Sequence, residues 1–383
     1  MAGIAHFELL SVDLPFRSPF AHAAAVRTTS ESLMLKCVTT SGETGFGECL
    51  PRHYVSGETR DGVFELLAGK ILPRLKERSF AGFEEVMAFL RECDGKAPPD
   101  WVPPHIRQTA AWAAVDLALL DAFGREFQRP VELVPGAGLP ADFRYSVVFS
   151  ATPGLKFMKT ALASRLYGFR QAKLKLGEES SEQIVAAARL LLGPRCDIRA
   201  DANMAWDLET ALRIMPRLAR YGVRSFEQPV AATDIAGLAR LVRETGLGVM
   251  ADESLNDAGS LETLIAVKAC TAVNVRISKC GGLMASYNRC RRALEAGLTV
   301  QVGCQVGESS LLSAAQLILI AAVGRVTYGE GCFGRHLLRH DPAVPLLQFG
   351  YGGRPPERRP GPGLGVSVDE NRLRPFVGRS LTM

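Results

Sequence analysis

The sequence predicts an α/β chain whose larger part is a barrel of eight parallel strands, and three observations carry that expectation. After Pro130, short β-rich runs alternate with amphipathic helical stretches. The runs centre near Val147, Leu174, Arg199, Phe226, Met250, Val275, Val300 and Thr327, at intervals of 24 to 27 residues. A charged side chain closes or soon follows most of them. A repeat of this length holds a strand of about 5 residues, a helix of about 12 and two loops. Eight such units joined by right-handed crossovers close on themselves. The competing arrangement, an open doubly wound sheet, carries a Gly-rich phosphate turn after its first strand. Here that position reads Ser150-Ala151-Thr152-Pro153-Gly154, which is not such a turn.

The part before the barrel reads as α+β. Residues 5–13 and 31–39 have strand character, and a third run near 44–49 follows the turn Thr40-Ser41-Gly42, which predicts an antiparallel meander. Residues 51–59 are rich in turn formers and read as a loop. Helical periodicity covers 60–77, 81–93 and 106–127; in the last, Asp116 and Asp121 interrupt an apolar series. Beyond the eighth run, Gly329–Leu347 reads as irregular or briefly helical. The tail, 349–383, is rich in Pro and Gly, has a β-like stretch at Leu364–Val368, and is expected to fold back onto the N-terminal part.

Composition excludes several classes of function. The 383 residues are 47% hydrophobic and 22% charged, an ordinary globular balance, and the net charge is +5. The basic residues are scattered, and the densest stretch, Arg354–Arg359, sits among Pro and Gly and reads as an exposed loop. Neither a nucleic-acid nor a membrane partner is expected. Nine cysteines form no Cys-x-x-Cys pair, which points to reduced thiols in a cytoplasmic protein. Met1–Leu14 includes His6, Glu8 and Asp13, so it is no signal peptide. The longest apolar run, Leu311–Val323, is interrupted by Gln316 and too short to span a bilayer.

In such a barrel, chemistry belongs at the C-terminal ends of the strands. The second run ends Lys173-Leu174-Lys175, the third in Asp201 with Asn203 beyond, the fourth in Glu227, and the fifth in Asp252-Glu253. Lys279 follows the sixth, Glu308 the seventh and Glu330 the eighth. Adjacent strands lie about 4.8 Å apart, so Asp201, Glu227 and Asp252 are candidates to converge on one cation. Hard oxygen donors favour Mg²⁺ or Mn²⁺ over zinc. The bland alternative is a salt-bridge cluster of these acids with the lysines. Lys173 and Lys175 share one face of their strand, and mutual repulsion is expected to lower both pKa values toward those of general bases. Lys279 is expected across the barrel, as a base on the opposite face. The metal would hold a substrate carboxylate and stabilise the enediolate left when its α-proton departs, a division of labour already described for enolase-type sites.

With these residues in view, the chain resembles the enolase superfamily, in its muconate lactonizing enzyme (mandelate racemase/muconate cycloisomerase) subgroup. The resemblance rests on Lys173-Leu174-Lys175, Asp201-Ala202-Asn203, Phe226-Glu227-Gln228-Pro229, Ala251-Asp252-Glu253-Ser254 and Ile277-Ser278-Lys279-Cys280-Gly281-Gly282 in this order. Gly45-Phe46-Gly47-Glu48 and Gly361-Pro362-Gly363-Leu364-Gly365 resemble the subgroup's capping domain. It implies a modified (β/α)7β barrel over 131–345, an α+β capping domain over 1–130, and a tail, 346–383, returning to that cap. It also implies metal ligands at Asp201, Glu227 and Asp252, bases at Lys175 and Lys279, and a pKa-lowering partner at Lys173. Asn203 and Glu253 match supporting polar positions. Phe20–His22 and 51–59, with Arg52, His53 and Tyr54, match loops that close over substrate.

Some stretches depart from the subgroup. After the seventh run the subgroup often reads Met-Leu-Glu-Ser, whereas Gln305 and Val306 precede Gly307-Glu308 here. The Asp-x-Asp that holds a substrate ammonium in dipeptide epimerases is replaced by Tyr328-Gly329-Glu330-Gly331-Cys332, leaving Glu330 to do part of that work. His22, Arg52 and His53 suggest an anionic or hydrogen-bonding group at the substrate's far end. The expected reaction is epimerisation or racemisation of an N-acylated amino acid or dipeptide-like carboxylate. A cycloisomerase, or a syn-dehydratase of the o-succinylbenzoate synthase type, would use the same enediolate with one lysine. A non-catalytic binding barrel is the alternative of another class. Relatives of this kind commonly form oligomers, so a homo-oligomer is expected.

Overall fold

A computed structural model of the chain describes residues 1–22, 25–150, 154–177, 181–358 and 360–383, without the side chains of 20–26, 150 and 181. The N-terminal part holds β1 (Ala2–Val12), β2 (Pro15–His22), β3 (Ala25–Thr29), β4 (Ser32–Thr39) and β5 (Thr44–Cys49). β1 pairs antiparallel with β4, and β4 with β5, which is the expected meander. The hairpin of β2 and β3 is not anticipated by the sequence reading. Pro15 and Pro19 break any strand pattern there, and the hairpin forms a separate two-stranded sheet, bridged at Phe16 to Leu338, where proline is tolerated. Phe20 and His22 therefore belong to a strand rather than a loop, and their side chains lie outside the described residues.

Within 51–59, read as a loop, one helical turn forms, α1 (His53–Ser56). The stretch 60–77 is α2 (Arg60–Leu66), a π-helical turn at Leu67–Ile71, and α3 (Leu72–Lys76). Pro73 lacks the N–H that would bond one turn back, so a uniform α-helix cannot run through it. β6 (Ser79–Phe80) adds to β1, and α4 (Phe83–Cys93) and α5 (Thr109–Glu126) follow. α5 lies against β5 because two glycines leave room. A Cβ at Gly47 would sit 1.9 Å from the Ala114 carbonyl oxygen, and one at Gly45 2.0 Å from the Ala122 nitrogen. Asp116 and Asp121 on α5 are both buried, and both accept backbone N–H bonds. Asp121 takes those of Phe46 (3.0 Å) and Leu364 (2.9 Å), tying the sheet to the tail.

The barrel strands are β7 (Val147–Ser150), β8 (Gln171–Lys175), β9 (Asp197–Asp201), β10 (Val223–Glu227), β11 (Gly248–Ala251), β12 (Ala272–Val275), β13 (Thr299–Val302) and β14 (Tyr328–Gly329). They pair in parallel and in sequence order. Ser146 N donates to Gly329 O at 2.8 Å, beside a parallel Tyr145–Gly329 bridge, and closes the ring. All eight anticipated strands form; the last is two residues long and begins just past Thr327. Between strands run α6 (Leu155–Leu166), α7 (Ser181–Leu192), α8 (Leu208–Ala219), α9 (Ile235–Thr245) and α10 (Ala258–Ala266). The turn α11 (Ile277–Cys280) and α12 (Leu283–Glu295) follow β12, and α13 (Ser310–Val323) follows β13. In the tail, β15 (Ala343–Val344) pairs with β16 (Ser367–Val368). After the turn α14 (Glu370–Leu373), β17 (Val377–Thr382) pairs antiparallel with β1, so the chain returns to its first strand as expected. Among the described residues no helix is long and apolar enough to cross a membrane.

Candidate active site

The register of the barrel brings the acids and lysines together at one end. Lys175 pairs with Asp201 across β8 and β9, and Asp201 with Glu227 across β9 and β10. Asp252 directly follows β11. The chain leaves these strands through left-handed backbone at Asn203 (φ 43°) and Gln228 (φ 37°), conformations costly for side chains other than glycine. The Gln228 amide fixes the next turn: its oxygen accepts the N–H of Asp252 (3.0 Å) and of Ser254 (3.1 Å).

Asp201, Glu227 and Asp252 are buried, as are Lys173 and Lys279. Lys173 Nζ lies 2.9 Å from Asp201 Oδ2, 2.8 Å from Glu227 Oε1 and 3.1 Å from Glu330 Oε2. Burial opposes its charge, but the three carboxylates outweigh burial and raise its pKa. The expectation that Lys173 and Lys175 are both depressed is thus corrected for Lys173: carboxylates surround it, not cations. Lys175 is lowered, by burial first and then by the positive charges of Lys173 and Arg276 against the opposing pull of Asp201. Its Nζ donates to Asn203 Oδ1 at 3.3 Å. For Glu227, burial favours the neutral acid, yet Lys173 and Arg276 hold it down at about 2.

On the far side of the mouth the structure separates two basic residues. Lys279, in α11, is buried and donates to Asp252 Oδ1 (2.8 Å) and to the Asn274 carbonyl (2.9 Å), and burial lowers its pKa to about 8. Arg276, immediately after β12, faces the interior; its guanidinium pairs with Asp252 Oδ2 and donates to Gln305 Oε1 at 3.1 Å. Gly281 and Gly282 allow this turn to press on the N-terminal part: a Cβ at Gly281 would meet Gly95 Cα at 2.4 Å.

Two connected hollows open here. The larger, about 490 Å³, is bordered by Lys173, Lys175, Arg276 and Glu330 and by apolar side chains of β7, α6 and the segment after β14. The smaller recess is bordered by Tyr54, Lys175, Asn203, Glu253, Arg276 and Gln305, together with the apolar Met204 and Val306. Lys175 and Arg276 border both; Lys279 borders neither. Glu253 accepts from Asn203 Nδ2 at 3.3 Å, and burial, with Asp201 and Glu227 nearby, pushes its pKa up to about 7.

Most of the other candidates have partners within the protein. The Arg52 guanidinium is buried and donates to the carbonyls of Glu31, Pro51, Ser30 and Val306. His53 is exposed. Glu308 accepts the Gln305 N–H at 2.6 Å, and burial raises its pKa to about 8. Glu330 is paired with Lys173 and with Arg199 (2.8 Å). Residues the sequence reading passed over are Arg276, Arg199 and Asn274, the last donating to Glu227 Oε1 at 2.9 Å. A signal for Arg276 existed: it sits two residues beyond Asn274, so strand alternation sends both to the same face.

The donor chemistry suits a divalent cation: three buried carboxylates on consecutive strands, all oxygen. Asp201 Oδ2 is buried and accepts no hydrogen bond, although Lys173 lies within ion-pair range. As the side chains stand, Lys173, Arg276 and Lys279 share the carboxylates, and among the described residues no three acidic, His or Cys groups converge for a metal.

Fold and site together define a closed parallel barrel with an acid-and-lysine cluster at its mouth, under an antiparallel sheet. The chain belongs to the enolase C-terminal domain-like family, whose model matches residues 156–372. It is 26% identical over 380 residues to N-succinyl-L-Arg/Lys racemase of Bacillus cereus, covering 97% of each chain. The crystal structure of that racemase superposes with a TM-score of 0.85 over all of both chains. Muconate cycloisomerase 1 of Rhodococcus opacus is 28% identical over 385 residues, 98% of each chain. The crystal structure of a dipeptide epimerase from Cytophaga hutchinsonii, complexed with Mg and the dipeptide D-Ala-L-Val, matches in fold at a TM-score of 0.84 and 22% identity, over 99% of each chain. The expected superfamily is therefore borne out.

Proposed function

We propose that the protein is a divalent-metal-dependent isomerase that removes the proton next to a substrate carboxylate, with Lys175 as the base. The supporting observation is that Lys175 borders both hollows, beside the three acids. Asp201, Glu227 and Asp252 would hold Mg²⁺, or Mn²⁺ with the same oxygen preference. Such a cation, when bound, supplies the positive charge that makes the α-proton acidic. Lys175 takes that proton, its neutral form favoured by burial. Lys173 keeps its own proton and holds the acids in line, while Lys279 positions Asp252. Arg276, the basic residue opposite Lys175, is an arginine, a residue type poorly suited to act as a base. A reaction needing a base on one face, such as cycloisomerisation or syn loss of water, suits this set.

The second reading is racemisation or epimerisation of an N-acylated amino acid or dipeptide-like substrate. It is favoured by the full-length similarity to the N-succinyl-L-Arg/Lys racemase. Incubation with Mg²⁺ in D₂O against N-acylamino acids, dipeptides and cyclic carboxylates separates the two. Deuterium entering the α-position without inversion, with ring opening or loss of water, supports one-base chemistry; deuterium with inversion supports racemisation. Absence of both exchange and Mg²⁺ binding overturns the proposal. We also propose a homo-oligomer in the cytoplasm. α6 exposes Leu155, Met158, Leu162 and Leu166 along one side, and all nine cysteines are free. Sedimentation velocity tests the oligomer.

A further inference from the structure

The two hollows differ in chemistry, and the difference limits what a substrate looks like. The small recess is mixed, with Asn203, Glu253 and Gln305 but also Tyr54, Met204 and Val306 around the Lys175 and Arg276 side chains. Among the described residues, the charged side chains of the large cavity, Lys173, Lys175, Arg276 and Glu330, gather at its inner end. Lys173 is neutralised by three carboxylates, and Glu330 is held by Lys173 and Arg199. Away from that end the wall is Val147, Val148, Tyr167, Phe169, Leu337 and Phe349. Its aliphatic hydroxyls, on Thr160 and Ser164, each bond a carbonyl one helical turn back at 2.8 Å. His336 lies flat on Phe349, ring centroids 4.6 Å apart, and partial burial lowers its pKa. Among the described residues, the basic groups expected to meet an anionic tail are not there: Arg52 is spent on carbonyls and His53 is outside the cavity, while the His22 side chain lies outside the described residues.

We propose that the substrate seats its carboxylate at the charged inner end, beside Lys175 and the three acids, and an uncharged apolar tail, aromatic or branched, in the large cavity. This rests on the reading of the site as one that acts next to a carboxylate. A cavity of about 490 Å³ falls in the ordinary range for small-molecule sites, roughly 300–1,000 Å³. A second charge on the tail would lose its water and gain no partner. An apolar tail gains from leaving water at every methylene.

The test is a binding series on the Mg²⁺-loaded protein by calorimetry, independent of turnover: 4-phenylbutanoate and 5-methylhexanoate against glutarate and adipate. The apolar monocarboxylates are expected to bind about tenfold tighter or better. Leu337→Arg, at a half-exposed position on the wall, is expected to narrow or reverse that preference. Dicarboxylates binding as tightly as the apolar acids, or no binding by either class, would overturn the proposal. Failure of the parent reading looks different: apolar acids bind preferentially, yet no bound α-proton exchanges in D₂O.

Discussion

The β8 side and the β12 side of the barrel mouth each carry two basic residues, but they use them oppositely. On β8, Lys173 and Lys175 alternate along one face: the inner one is locked by three carboxylates, and the outer one borders the cavities. On the β12 side, Arg276 borders the cavities, while Lys279, three residues on, is buried against Asp252. The lesson is that two lysines near strand ends can meet the same acid cluster from different directions. In a strand, alternation decides the direction; once the chain turns into α11, the direction follows the helix. The mouth therefore sets the Lys175 amine on one face and the Arg276 guanidinium on the other, with Lys279 behind it on Asp252.

The strongest way to break this comparison is to remove the amine. Lys175→Ala is expected to lower α-proton exchange by about 10²- to 10⁴-fold while Mg²⁺ binding and the melting temperature stay near the parent's. Full activity in that variant would move the base elsewhere. The next effect is on stability. Lys279→Ala strips Asp252 of a buried partner and is expected to cost about 3–5 kcal/mol in urea unfolding. A Lys279→Ala protein as stable as the parent, but unable to exchange, would instead make Lys279 a base and restore the two-lysine picture.

Much of this was legible in the sequence because it depends on period. The spacing of 24 to 27 residues gives eight strands, and strand ends give Asp201, Glu227, Asp252 and Lys175. What was illegible depends on partners. Phe226-Glu227-Gln228-Pro229 reveals no sign that Gln228 bonds the backbone of Asp252 and Ser254, since that contact spans two strand ends. Arg52 looks like a ligand for an anion until four carbonyls are seen to consume it. The β2–β3 hairpin escapes because its prolines hide it. Arg276 was overlooked although its alternation with Asn274 was readable; Lys279 drew attention as the more familiar base.

A milder perturbation sharpens the comparison at Arg276 itself. Arg276→Lys puts a titratable amine opposite Lys175. Exchange is then expected from both faces, the new one about 10- to 100-fold slower, seen as gradual loss of stereochemical purity in an enantiopure substrate. Purity retained indefinitely would mean that the position does not reach the reacting carbon. The smallest effect is on pH. Lys175 acts as the neutral amine, so the rate rises with pH until its pKa is passed and then levels. Burial sets that pKa below 10.5, and the positive charges of Lys173 and Arg276 lower it further. Arg276→Met removes one of those charges and frees the negative charge of Asp252, and both changes favour protonated Lys175. The rising limb is expected to move to higher pH in Arg276→Met and to stay near the parent's in Arg276→Lys, where a charge remains while that amine is protonated. A limb unmoved in both variants would assign the titration to a group other than Lys175.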